Sequence, residues 1–179
     1  MSTTNYLFAG FGGQGILFSG KVLAYKGLTD GANVSWLPSY GPEMRGGTAN
    51  CSVIISDEPV GSPIVSNPNC LIAMNLPSLD AYENSVVSGG KIFVDSSLIE
   101  RKVNRTDVEV FYIPATKLAS DNNMPKLANM IIMGKVFKET GAFENEESVV
   151  NALKKVISAK HSDMLEINLK ALKIGRDYQ

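Results

Sequence analysis

The sequence predicts an α/β domain: a three-layer, Rossmann-like, mostly parallel sheet with helices on both faces and a helical C-terminal end. Three observations predict it. Apolar runs of strand length alternate with stretches of helical period through the first two thirds of the chain. A glycine turn joins the first run to the first helix. The last third is helical in pattern throughout. At 179 residues the chain is expected to form one domain, residues 1–179, with enough length for a full core.

In chain order, Tyr6–Ala9 is a short apolar run that stops at Gly10, as a buried strand does. Gly10-Phe11-Gly12-Gly13-Gln14-Gly15 forms the turn. Ile16, Gly20, Leu23, Ala24, Gly27 and Leu28 then share one stripe at helical spacing, and Gly31 suits the stop. Asn33–Leu37 reads as a strand. The segment 38–48 carries two prolines and three glycines and is irregular. Cys51–Ser56 is β-branched and apolar, hence a strand, with a turn and short return strand expected over Glu58–Val65. Cys70–Met74, Lys91–Asp95 and Val108–Ile113 are further strands, with a helix predicted over Ser78–Val87. Leu127, Met130, Ile131, Gly134 and Phe137 occupy one helical face, better suited to a core than to a cofactor box. Asn145 is placed to cap the next helix, with Glu146 and Glu147 in the first turn, where acids suit the dipole. Val149, Val150, Leu153, Val156 and Ile157 form its stripe. Asp163 and Glu166 have capping-box spacing at the start of the last helix.

Composition excludes several function classes. Seventeen basic and eighteen acidic residues give a net charge of −1, against the basic balance of a general nucleic-acid binder. No apolar run approaches the ~20 residues of a membrane span, no basic-then-apolar leader opens the chain, and a cytoplasmic location is expected. Two cysteines, Cys51 and Cys70, are too few for an iron–sulfur cluster and read as small buried hydrophobes. No metal site is expected. The sole histidine, His161, stands beside Ser162 and Asp163. A triad assembles in space rather than along the chain, so the neighbouring trio is a poor candidate.

Gly10-x-Gly12-x-x-Gly15 matches the dinucleotide fingerprint in the strand-to-helix context that motif needs. Glycines admit a phosphate close to the backbone, and helix N–H groups face it. That makes Gly12, Gly13, Gln14 and Gly15 an anion-binding candidate. The fingerprint also needs an acid at the end of the second strand to hold the ribose. Here that strand ends Ser35-Trp36-Leu37, with Asp30 too early and Glu43 too late. The alternative reading of the glycines is close helix packing.

Several stretches together are far more specific. Gly10–Ile16 is followed by Pro38-Ser39-Tyr40-Gly41-Pro42-Glu43-Met44-Arg45-Gly46-Gly47-Thr48. Then come Ser62-Pro63-Ile64-Val65 and Ala73-Met74-Asn75-Leu76-Pro77-Ser78-Leu79, and near the end Ala128-Asn129-Met130 with Gly134 and Asn168-Leu169-Lys170-Ala171-Leu172. From about Tyr6 to about Arg176 the chain resembles the gamma subunit of the 2-oxoacid:ferredoxin oxidoreductases, the pyruvate/2-oxoisovalerate/2-oxoglutarate family. The resemblance implies a subunit of an enzyme that decarboxylates a 2-oxoacid on thiamine diphosphate. Such an enzyme passes electrons through iron–sulfur clusters to ferredoxin and forms acyl-CoA. It implies alpha and beta (thiamine-binding) and delta (ferredoxin-like) partner subunits. The chain has no GDG thiamine motif and no cysteine run, so no cofactor is expected on it. Its role would be to dock, and to complete the active site near coenzyme A, with Gly12–Gly15 the coenzyme A candidate.

The loop over 38–48 is the expected active-site or interface element. Tyr40 and Met44 alternate with Glu43 and Arg45, more apolar surface than a freely solvated loop carries. Arg45 suits a carboxylate or phosphate through its planar fork, and Glu43 can hold Arg45 in place. Gly46 and Gly47 admit a partner backbone. Trp36 is expected to pack beneath the loop. No residue is assigned a chemical step. Isolated, such a chain is expected to self-associate through exposed apolar surface. The alternatives are a stand-alone nucleotide-binding oxidoreductase and a non-catalytic scaffold subunit. The 2-oxoacid itself is not legible.

Overall fold

The computed structural model describes residues 2–39 and 48–179, all but the side chain of Phe143. Six strands and six α-helices are present among them: β1 (Thr3–Phe11), α1 (Ile16–Thr29), β2 (Asn33–Ser39), β3 (Thr48–Ser56), β4 (Cys70–Ala73), α2 (Leu76–Tyr82), β5 (Lys91–Asp95), β6 (Glu109–Ile113), α3 (Ala115–Asp121), α4 (Ala128–Glu139), α5 (Glu146–Val156) and α6 (Met164–Asp177). The sheet order is β2-β3-β1-β4-β5-β6. The β1–β4, β4–β5 and β5–β6 pairings are parallel, whereas β3 runs antiparallel to both β1 and β2. The predicted three-layer α/β class holds, and the sheet is mixed. Strand β3 returns directly beside β1, which gives the antiparallel half.

Alternation along the strands sorts the core into two layers. Tyr6 and Phe8 of β1, Cys51 and Val53 of β3, Ile72 of β4 and Phe93 of β5 face the helical bulk, where Leu23, Met130, Met133, Phe137, Leu153 and Leu172 are sealed from water. Leu7, Leu71, Ile92 and Val94 point the other way, beneath Leu79 of α2 and Ile99. Met130 and Phe137 are fully buried, as their stripe predicts.

Helix α4 crosses α6 at a glycine pair. A β-carbon at Gly134 would overlap the Leu172 carbonyl oxygen, and one at Gly175 would overlap the Ile131 carbonyl oxygen. The two backbones therefore touch with no side chain between them.

Asn145 caps α5 as predicted, its carboxamide oxygen accepting from Ser148 N at 3.1 Å. Other local expectations need correction. Glu58–Val65 forms no strand: Pro59 and Pro63 remove ladder donors, and both edges of β1 are already taken by β3 and β4. The helix placed over Ser78–Val87 is α2, which starts earlier because Asn75 caps it by accepting from Ser78 N at 2.9 Å. Helix α3 is an addition to the sequence expectations. Its first turn is held by Asp95, which accepts from Thr116 Oγ1 at 2.6 Å, a partner 21 positions away. Asp163 makes no cap bond, because its own backbone is already in the right-handed helical region, whereas a capping residue is extended. Leu28 is 53% exposed. At about 100° of rotation per residue it lies off the stripe centred on Gly27.

Candidate functional site

The glycine turn lies at the carboxyl end of β1, next to the carboxyl end of β4. Helix α1 leaves β1 on one face and α2 leaves β4 on the other, so the crevice is a topological switch point, where ligands of open α/β sheets bind. The turn's shape is specified residue by residue. Gly13 and Gly15 both have positive φ, in left-handed conformations that disfavour any side chain. Gln14 holds the turn closed: its Oε1 accepts from Phe11 N at 2.7 Å and its Nε2 donates to the Met74 carbonyl at 3.0 Å. Both ends of that carboxamide are engaged inside the protein.

Gly10 and Gly15 serve packing. A β-carbon on Gly10 would sit 2.6 Å from Gln14 Oε1 and 2.9 Å from Met74 Cβ, and one on Gly15 would overlap the Asn129 carboxamide. Asn129 Nδ2 donates to the Gly15 carbonyl at 3.1 Å and to Ser19 Oγ at 3.1 Å, which ties the start of α4 to the start of α1. Gly13, by contrast, faces open space.

The missing ribose acid has a topological reason. In a dinucleotide fold the second strand lies directly against the first. Here β3 intervenes, so the end of β2 is two strands, roughly 10 Å, from the turn. Asp30 is engaged elsewhere, in an ion pair with Lys26.

Tyr40, Glu43, Met44, Arg45, Gly46 and Gly47 lie outside the described residues, between Ser39 and Thr48. Those anchors are at the same carboxyl edge as the turn, since Phe11 pairs with Thr48 and Ser39 with Asn50. The edge bears exposed apolar side chains: Phe11, Leu37 and Leu76 at 39% and Leu98 at 44%. Trp36 is half-buried against the main core, with Lys21 Nζ 5.9 Å from its ring centroid.

Neither cysteine suits a metal or a nucleophile. Cys51 and Cys70 lie on β3 and β4 with β1 between them, both buried. Burial pushes each thiol up to about 12, because a thiolate is costly away from water. The Trp36 indole and Gly20 backbone oppose this at Cys51, and Lys91 opposes it at Cys70. Among the described residues no cluster of three His, Cys, Asp or Glu could hold a metal ion. No helix there is long and apolar enough to cross a membrane. His161, Ser162 and Asp163 are all exposed, on and just after a 3-10 turn.

A larger cavity, about 530 Å³, opens behind the turn between Gly15 and Phe18 on one side and the α5–α6 junction on the other. Sequence reasoning missed it. Its walls come from segments as distant along the chain as Gly15 and Asn168, and only the Asn129 and Asn168 strings gave any local signal.

Fold and turn together define an open-sheet α/β domain whose glycine loop is set at a switch point and braced by a C-terminal helix pair. Residues 5–178 match the model of the pyruvate ferredoxin/flavodoxin oxidoreductase family, and the chain belongs to that family. It is 38% identical over 170 residues to the ketoisovalerate oxidoreductase subunit VorA of Methanothermobacter marburgensis. The match covers 95% of this chain and 35% of that subunit, so the chain spans about a third of that relative's length. It is 36% identical over 141 residues to the 2-oxoglutarate synthase subunit KorC of Methanocaldococcus jannaschii, covering 77% of this chain and 75% of that one. A crystal structure of a keto/oxoacid ferredoxin oxidoreductase gamma subunit from Geobacter sulfurreducens superposes with a TM-score of 0.84 at 27% identity. It covers 98% of this chain and 95% of that one.

Proposed function

We propose that this chain is the gamma-type subunit of a coenzyme A-dependent 2-oxoacid:ferredoxin oxidoreductase acting on a 2-oxoacid such as 2-oxoglutarate or 2-oxoisovalerate. The observation that carries the reading is likeness, over 95% and 77% of the chain respectively, to subunits named for those two substrates, VorA and KorC. The longer VorA relative adds weight, because there the same domain is continuous with a further two thirds of chain. Thiamine diphosphate and the iron–sulfur clusters belong to alpha, beta and delta partners in this reading. Cys51 and Cys70 are apart, buried and protonated at neutral pH, and do not fit a cluster.

This chain's own part is to dock and to bind. Phe11, Leu37, Leu76 and Leu98 give the carboxyl edge an apolar rim for a partner surface. Gly12, Gly13 and the start of α1 offer backbone N–H groups to an anion such as a coenzyme A phosphate, while Gln14 and Gly15 hold the turn. Arg45, with Glu43 beside it, supplies a guanidinium to a carboxylate or phosphate. Tyr40, Met44, Gly46 and Gly47 make the loop's contact surface.

The test is co-expression with thiamine-binding and ferredoxin-like chains from the same genome, followed by assay of ferredoxin reduction and acyl-CoA formation. The assembled complex turns over, and the isolated chain is colourless and inactive. Turnover by the isolated chain, or failure to co-purify with those partners, overturns the reading. Arg45→Ala in the complex lowers acyl-CoA formation about tenfold to a hundredfold, the scale of a lost hydrogen bond to a charged group. Assembly is retained, and Arg45→Lys recovers only part. A variant that turns over like wild type removes Arg45 from the site, and one that fails to assemble favours a scaffold role.

A further inference from the structure

We propose that Gln14 is a positioning residue for the glycine turn, and that through the Met74 carbonyl it ties the turn's shape to the seating of α2. The proposal rests on the reading of Gly12 and Gly13 as the anion-facing part of that turn. Gln14 is not itself a ligand contact in it, because both ends of its carboxamide are engaged inside the protein.

The link needs one acceptor and one donor. The Phe11 N–H can only donate and the Met74 carbonyl can only accept, so the two bonds fix which end of the carboxamide is which. The Gln14 backbone N–H adds a third bond, to the Phe11 carbonyl at 3.2 Å. Phe11 is thereby clamped at both of its backbone polar groups, and Gly12 and Gly13 arch over the clamp. Gly13 has its positive φ there and faces open space. Glutamate at this position would keep the acceptor for Phe11 and set an oxygen against the Met74 oxygen. Methionine would keep the length and make neither bond.

The far end of the link is the cap of α2. The Met74 N–H is fixed on the Ala9 carbonyl at 2.9 Å, so this residue is pinned to β1 on one side. Its own carbonyl shares a rigid peptide plane with the Asn75 N–H. A rotation at Asn75 therefore turns the oxygen that Gln14 holds. Asn75 is the residue whose side chain caps α2 by accepting from Ser78 N. It is 1% exposed and Ser78 is 0% exposed, yet Asn75 Nδ2 and Ser78 Oγ are both without a partner. Unmet buried polar groups are costly, so the polar seat of α2 is incompletely bonded where it meets Met74. Helix α2 also carries Leu76, 39% exposed, to the apolar rim. The element that a docked partner would touch is thus the one whose cap orients the turn.

Amide NMR of the full chain, combined with anion titration, tests the link. Asn75→Ala removes the cap of α2 and shifts the Gly13 and Gly15 amide signals. In a Gln14→Met background the same substitution leaves those signals where Gln14→Met alone puts them. Calorimetric titration with pyrophosphate and with coenzyme A follows the same pattern. Gln14→Met weakens both about threefold to tenfold, the scale of a lost hydrogen bond. Gln14→Glu weakens them further by adding a negative charge, and Asn75→Ala has an effect only where Gln14 is present. Gln14→Glu, which keeps the Phe11 bond, serves the same cycle where Gln14→Met does not fold. In the assembled complex the Gln14 variants raise KM for coenzyme A and leave KM for the 2-oxoacid unchanged, a split that general destabilisation does not give. Equal effects of Asn75→Ala in the two backgrounds, or Gln14 variants with wild-type amide signals and wild-type affinity, overturn the proposal. The amide signals need no ligand, so a wild-type complex that fails to turn over removes the 2-oxoacid reading while the amide cycle still decides the role of Gln14.

Discussion

Two glycine pairs hold this molecule together, and they do so on different terms. At the α4–α6 crossing, Gly134 and Gly175 each press against the other helix's backbone carbonyl. At the β1–α1 turn, Gly10 and Gly15 press against side chains, most closely the carboxamides of Gln14 and Asn129. A carbonyl within a helix cannot yield without moving the helix, whereas a carboxamide can rotate at the cost of its hydrogen bonds. The crossing fixes the architecture, and the turn depends on particular partners that can be altered one at a time.

The largest expected effect is therefore at the crossing. Gly134→Ala and Gly175→Ala each force the helices apart, at the upper end of the overpacking range, about 3 kcal/mol. For a chain of this size that lowers the melting temperature by about 6–12 °C, readable by circular dichroism. A wild-type melting curve for both variants would erase the distinction.

At the turn, Gly15→Ala costs about 1–2 kcal/mol from its left-handed φ alone, and adding Asn129→Ala removes the steric part without recovering the conformational part. Gly20, along α1, sharpens the contrast, since a β-carbon there would overlap Cys51 Sγ. Alanine is the better helix former by about 1 kcal/mol, so Gly20→Ala is opposed chiefly by the sulfur, with the Trp36 indole nitrogen the next contact at 3.2 Å. Denaturant titrations of Gly20→Ala, Cys51→Ala and the double variant should give an interaction energy of about 0.5–3 kcal/mol, with the double variant rescued. Additive effects would mean that the sulfur is not what excludes a side chain.

The cysteines test burial directly. With thiols pushed up to about 12, roughly one molecule in ten thousand is thiolate at about pH 8. Iodoacetamide should leave Cys51 and Cys70 unmodified in the native chain and alkylate both in denaturant. Rapid native labelling would show that the sheet opens.

The smallest effect is at the surface. The Arg105 guanidinium lowers the Asp107 carboxyl from 3.8 to about 2. The folded value lies below the unfolded one, so the pairing stabilises at pH above about 4 and fades as pH falls through about 2. Carboxyl carbon shifts followed by NMR should show this titration, and Arg105→Ala should return it towards 3.8. Because the same guanidinium also donates to the Glu83 and Val86 carbonyls, Asp107→Asn is the variant that should leave the melting temperature at about pH 7 unchanged. An unchanged titration in the Arg105 variant would assign the shift to another neighbour.

What the sequence made legible follows the range of each interaction. The turn's position, the α1 stripe from Ile16 to Gly27, and the Asn145 cap are set by residues a few positions apart. Gly134 showed as a member of a helical face, but its role against Leu172 did not, and Gly175 gave no signal. The partner of Gly15 is Asn129, 114 positions away. Helix α3 depends on Asp95, and its 7 residues are too few to display a helical period. The antiparallel placement of β3, which moves β2 away from the turn, is a pairing choice that no local pattern encodes. The loop from Tyr40 to Gly47 was the strongest family signal, and it lies outside the described residues.

The Gln14 bracket carries a consequence for the order of folding. Its amide reaches Met74, 60 positions away, so the turn reaches its final shape only after β4 has docked beside β1. Such a long closure is entropically late. A nascent chain that has not yet delivered Cys70–Ala73 carries the Gly-Phe-Gly-Gly-Gln-Gly string without the bracket that shapes it. The turn's final geometry therefore arrives with the fourth strand, and its closed shape marks β4 as docked beside β1.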